Sequence, residues 1–153
     1  CSLIKSYFYN VIEGLPKNKQ LILFDGVCNL CNSSVNYVIK HDKHDVFMFA
    51  PLQGEAGNYI IEKYNLDTSK TDSILLYSEK KGLKVKSSAA LTIASKLGFP
   101  RNLLCIFYII PTFIRNWVYD YIAKNRYNWY GKKDACMVPT PKLQAKFLTK
   151  AKP

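Results

Sequence analysis

Apolar residues in this chain fall in short blocks, and the spacing inside each block switches between a helical period and continuous runs. Residues 3 to 12, LIKSYFYNVI, place Leu3, Ile4, Tyr7, Phe8, Val11 and Ile12 at helical spacing, which predicts a short amphipathic helix before the linker EGLPKNK. LILF (21–24) reads as a short buried strand ended by the turn signal Asp25-Gly26. From Asn29 to about His41, Leu30, Ser34, Tyr37, Val38 and His41 share one side of a predicted helix that begins at a pair of cysteines. VFMFA (46–50) reads as a second strand closed by Pro51, GNYIIEKYNL (57–66) as a helix, and SILLYS (73–78) as a third strand. The turn EKKG leads into LKVKS (83–87), which alternates like an edge strand. Ser87 or Ser88 is the expected cap of AALTIASKLG, an Ala-rich helix stopped at Gly98 and Pro100. A helical extension follows from Arg101 to about Tyr130, broken at Pro111, and then a tail with Cys136, Pro139 and Pro141.

The resulting order is β-α-β-α-β-β-α. Strands joined by a helix are expected to be parallel, and the four-residue turn makes the last two antiparallel. That is the element order of a thioredoxin-like α/β domain, here with a helical extension. A chain of 153 residues suits one domain with a self-sufficient core. The expected organisation is residues 1–19 as helix and linker, 20–139 as the domain including the extension 101–130, and 140–153 as a basic tail.

Charge divides the chain unevenly. Residues 1–76 carry seven Lys against eight acids, net −1, and residues 77–153 carry twelve Lys and three Arg against three acids, net +12. Such asymmetry suits an anionic partner or membrane surface, but the longest basic clusters are Lys80-Lys81 and Lys132-Lys133 and no nucleic-acid recognition module is present. Solvation of exposed faces is the simpler reading. LLCIFYII (103–110) is far short of the ~20 residues of a spanning helix and reads as a buried helix, with Cys105 in the core. The expected location is the cytoplasm, although a removed leader before Cys1 is compatible with the sequence.

The five cysteines, at 1, 28, 31, 105 and 136, are too few and too unevenly spaced for a secreted disulfide scaffold. Cys28 and Cys31 form a Cys-X-X-Cys pair where a strand passes into a helix. A thiol at that position meets unpaired backbone N–H groups and the positive end of the helix dipole, which favour the thiolate. Cys28 is then the expected nucleophile, and Cys31, one turn along, can resolve the mixed disulfide. Asp25 leaves two roles open: a proton relay for Cys31 if burial raises its pKa, or a turn cap whose fixed charge opposes the thiolate. Zinc is the chemical rival, but the remaining donors, Cys1, Cys105, Cys136, His41 and His44, offer no second paired knuckle. Cys136 is either a third redox thiol or a small buried residue. Tyr127, Trp129 and Tyr130 beside Arg126, Lys132 and Lys133 suit base stacking, or more simply packing of the rings against the domain.

Several separated motifs occur together: LILFDGVCNLCNSSVNYVIKHD, FMFAPLQ, DSILLY with KSSAALTIASKLG, and IPTFIRNWVYDYIAKNRYNWYGKKDAC. In this order they resemble the DCC family of thiol-disulfide oxidoreductases over about residues 20–139. The resemblance implies a thioredoxin-like fold, a redox-active pair at Cys28 and Cys31, and Asp25 as part of the signature. It also places Arg126, Tyr127, Gly131 and Cys136 at family positions, so that the C-terminal segment belongs to the working domain. One departure concerns docking. Thioredoxins carry a cis-proline before the third strand, whereas Thr71 and Asp72 stand here.

The expectation is therefore a thiol-disulfide oxidoreductase with Cys28, Cys31, Asp25 and Cys136 as site residues, no bound cofactor or metal, and a protein or small-molecule thiol or disulfide as substrate. The alternatives are a thioredoxin-like binding module that uses its basic aromatic half, with peripheral membrane contact among its options, or a metal-binding Cys-X-X-Cys protein.

Overall fold

A computed structural model describes residues 15–67, 73–132, 141 and 144–148. The expected N-terminal helix, Thr71-Asp72, Cys1, Cys136 and most of the tail lie outside the described residues. The elements are β1 (Gln20–Phe24), α1 (Asn29–His41), β2 (Phe47–Pro51), α2 (Glu55–Lys63), β3 (Leu75–Ser78), β4 (Gly82–Val85), α3 (Lys86–Lys96), a 3-10 segment (Arg101–Ile109), α4 (Thr112–Tyr130) and a short 3-10 turn (Gln144–Lys146).

The strands form one sheet in the order β2-β1-β3-β4. β1 and β2 are parallel, with Ile22 opposite Phe49. β3 runs antiparallel to both β1 and β4. The parallel expectation for helix-joined strands thus holds for β1 and β2 and fails for β2 and β3, because β3 adds to the opposite edge of β1, where it runs antiparallel to it. The mixed sheet and its helices are a thioredoxin-like fold.

β1 is apolar without interruption because both faces of the sheet are covered. Leu21 and Leu23 join Met48, Ala50 and Ile60 on the side of α2. Ile22 and Phe24 join Val35, Phe49 and Ile93 on the side of α1 and α3. Gly57 lets α2 lie close to the chain after β2: a Cβ there would stand 2.2 Å from the Leu52 carbonyl oxygen. Phe147 and Leu148, in the segment read as a tail, are buried, and the Leu148 amide donates to Phe49 O at 2.8 Å beside β2.

Three local expectations change. Val85, not a serine, caps α3, and it offers no side-chain hydrogen bond; Ser87 is buried and donates instead to Asn116 Oδ1 of α4 at 2.6 Å. The run 103–110 is not a buried helix. The 3-10 segment buries no residue, Ile109 is 82% exposed, and Cys105 is half-buried rather than in the core. The inner side of α3 already covers the sheet, so this segment leans on the flank of α3, where the Tyr108 and Thr92 hydroxyls meet at 2.9 Å, and on Arg115 of α4, whose guanidinium lies 5.0 Å from the centre of the Tyr108 ring. Trp129 and Tyr130 are likewise exposed rather than packed. Among the described residues no helix is long and apolar enough to cross a membrane.

Candidate active site

The site forms where β1 ends. Asp25 Oδ1 accepts the Val27 amide at 3.1 Å, closing a tight turn, and the Cys28 amide reaches back to Asp25 O at 3.3 Å. This turn puts Cys28 at the N-cap of α1 in extended conformation, where its Sγ accepts the Cys31 amide at 3.4 Å. Asn32 fixes the entry by donating to Gly26 O at 3.1 Å. That bond explains why Asn32 is buried beside Val35 and Val38, while Tyr37 of the expected face is half exposed.

The two thiols differ in surroundings. Cys28 is fully buried, and the chain leaving α4 runs past it: Cys28 and Lys132 form an antiparallel bridge, Asn29 N meets Gly131 O at 3.4 Å, and Asn29 Nδ2 donates to Tyr130 O at 2.9 Å. Gly131 makes this approach with φ of +80°, a left-handed conformation that suits glycine. Cys31 is partly open and lines a cavity of about 510 Å3. Burial and the hydrogen bond to the Cys28 sulfur push the Cys31 thiol up to about 12, against the opposing charge of Arg126.

Asp25 is 4% exposed and saturated with donors. Arg126 Nη2 donates to its Oδ2 at 2.9 Å, Gln53 Nε2 to its Oδ1 at 2.9 Å, and the Tyr127 hydroxyl to its Oδ2. Burial alone would raise its pKa, but the hydrogen bonds from Tyr127, Val27 and Gln53 and the Arg126 charge outweigh it and hold the carboxyl below its usual value. The raised pKa on which the relay reading depended therefore runs the other way. Arg126 is itself 4% exposed and points Nη1 at Cys31 Sγ, 3.7 Å away. Its guanidinium joins the carboxylate to the thiol pair.

Cys28, Cys31 and Asp25 thus come together, and Cys136 lies outside the described residues. Gln53 escaped reading from the residues themselves, and so did the roles of Arg126 and Tyr127; for the last two the only signal was their place in the family pattern. His41 turns Nδ1 to Tyr37 O at 2.7 Å, away from the cysteines. Among the described residues no group of three or more Cys, His, Asp or Glu is placed to hold a metal ion.

A thioredoxin-like fold that sets a Cys-X-X-Cys pair at a helix N-terminus defines a dithiol centre of the thiol-disulfide oxidoreductase class. The family model of DCC1-like thiol-disulfide oxidoreductases matches residues 22–132, and the chain belongs to that family. It is similar to the uncharacterized protein YuxK of Bacillus subtilis, 41% identical over 136 residues, which span 89% of this chain and 97% of the relative. It is also similar to a chloroplastic DCC family protein of Arabidopsis thaliana, 34% identical over 119 residues, 77% of this chain and 69% of the relative. No solved structure matches the chain.

Proposed function

We propose that the protein exchanges thiols and disulfides through Cys28 and Cys31, with Cys28 attacking and Cys31 resolving. The observation that carries this reading is the asymmetry of the pair. Cys28 Sγ receives the Cys31 amide at the helix N-terminus, while Cys31 keeps its proton, its thiol pushed up to about 12. In the first step the Cys28 thiolate bonds to one sulfur of a substrate disulfide, and the other sulfur leaves as a thiolate. The negative charge on Cys28 is then gone, whereas Arg126 remains 3.7 Å from Cys31 Sγ and favours its ionisation. The Cys31 proton passes to the departing thiolate. Cys31 attacks Cys28 Sγ, the mixed disulfide breaks, and the second substrate sulfur is released as the Cys28–Cys31 disulfide closes.

In this reading Asp25 is a positioning residue: it stays ionised and holds Arg126 against Cys31. Substrate reaches Cys28 when the Gly131-Lys132 chain swings aside. Cys136 is only four residues beyond Lys132, within about 14 Å of extended chain. It is therefore within reach to act as a third thiol for the pair.

The test is a titration of the full chain in glutathione buffers, with the thiols trapped by alkylation and read by mass spectrometry. A Cys28–Cys31 disulfide is expected to form and reduce at a potential between about −120 and −270 mV. Cys28→Ser should abolish exchange, and Cys31→Ser should accumulate the mixed disulfide on Cys28. A pair that remains dithiol across that range would refute the reading.

A further inference from the structure

The cavity beside Cys31 is unexplained by exchange at Cys28. It opens between α1 and α3, with Phe24 and Phe49 as floor, Val35 and Ile93 as walls, and Ile122 and Ala123 of α4 near its polar end. At about 510 Å3 it is of the size of a small-molecule site. Cys31 and Arg126 line it, and Cys28 does not. We propose that this cavity binds a quinone, which accepts the electrons of the dithiol through Cys31. The proposal rests on the redox reading of the pair and adds its electron acceptor.

The occupant is fixed by the chemistry of the walls. They are largely side chains of helices and buried strands, with no free strand edge to pair a peptide, so the ligand is small and apolar. Its reactive end meets a thiol and a guanidinium whose Nη1 stands 3.7 Å from the sulfur, while Nη2 is held by Asp25 and Tyr127. A carbonyl oxygen accepts from that guanidinium well, and the sulfur of an apolar disulfide accepts poorly.

The electron balance closes with the quinone alone. Cys31 Sγ bonds to a ring carbon conjugated to the carbonyl beside Arg126, and its proton passes to that oxygen. The Cys28 thiolate then attacks Cys31 Sγ, the new sulfur–carbon bond breaks, and its electron pair stays on the ring. The second ring oxygen takes a proton from water. The dithiol is oxidised to the Cys28–Cys31 disulfide and the quinone is reduced to the quinol.

The experiment uses the reduced full chain, free of reductant and oxygen, with two separate oxidants: duroquinone, whose ring has no free position for permanent addition, and oxidised glutathione. One quinone should be consumed per Cys28–Cys31 disulfide formed. Ala123→Phe and Ala90→Phe each push a ring into the cavity, and each should slow oxidation by duroquinone about tenfold or more while oxidation by glutathione stays within about twofold. An independent readout is protection: in Cys28→Ser, the redox-inert dimethyl ether of durohydroquinone should slow alkylation of Cys31. This measurement decides the matter if the phenylalanine variants fail to fold. Equal slowing of both oxidants, unchanged quinone rates in folded variants, or absence of protection would overturn the proposal. Disulfide formation with glutathione but no quinol would sink the quinone site and leave thiol exchange standing. Failure with both oxidants would sink the exchange reading itself.

Discussion

At the scale of single residues, the centre depends on a buried ion pair whose members lie 101 positions apart in sequence. Asp25 and Arg126 are each 4% exposed, so each would be costly to bury without the other. Arg126→Met should therefore destabilise the fold by about 3–5 kcal/mol, read as a fall in the urea midpoint at pH 7. Asp25→Asn combined with Arg126→Met should recover part of that loss, because no uncompensated charge is left inside. A single Arg126→Met variant as stable as the wild type would show that the pair is solvated in solution. The two cysteines and Asp25 were legible because they sit within seven residues of one strand-turn-helix junction. The contacts of Arg126 and Tyr127 were not. They depend on where α4 packs, and an Arg-Tyr dipeptide in an aromatic run says equally well that it stacks, solvates or pairs.

Elements were legible in proportion to how locally they are determined. The bounds of α1 follow from the sequence, because a turn, a capping thiol and a periodic face agree there. Its buried face followed only at Val38, since apolar spacing gives no weight to Asn32, buried for a backbone hydrogen bond. The helix predicted from Gly57 begins at Glu55, and Gly57 lies within it as the point of closest approach to the Leu52 backbone. Gly57→Ala accordingly gains helix propensity and still loses stability. Its methyl cannot share space with the Leu52 carbonyl 2.2 Å away, and α2 must shift from the sheet, at an expected cost of about 1–3 kcal/mol. A thermal melt of the variant measures this, and a raised midpoint would mean that the helix has room. The run 103–110 failed as a core prediction for a related reason. Apolar content states that burial is favourable, and only the finished architecture decides whether any core remains for the segment to enter.

For the molecule as a whole, the basic half supplies the cation and the closing chain for a centre built on the near-neutral half, and this makes stability depend on pH at both ends. Asp25 has a folded pKa below the unfolded value of 3.8, so its contribution is present above that value and is lost as pH falls through the folded one. Cys31 behaves in the opposite sense. Its thiol lies near 9.0 when unfolded and about 12 when folded, so the native state holds the proton more tightly. That contribution is complete below pH 9 and disappears as pH rises towards 12. Two other effects act in the alkaline range. Tyr119 and Tyr127 are also pushed up to about 12 and add to the loss, whereas discharge of lysines relieves the self-repulsion of a chain with net charge +11. The wild-type curve alone is thus a sum of opposing parts. The difference between wild type and Cys31→Ala isolates the thiol, because the tyrosines and lysines are common to both. Urea midpoints measured on reduced protein should differ by a constant amount below pH 9, and the wild type should then lose ground to the variant with each step above it. A difference that stays flat to pH 12 would mean that Cys31 titrates alike in the folded and unfolded chain. The proton asymmetry invoked for the proposed attack by Cys28 would then be absent.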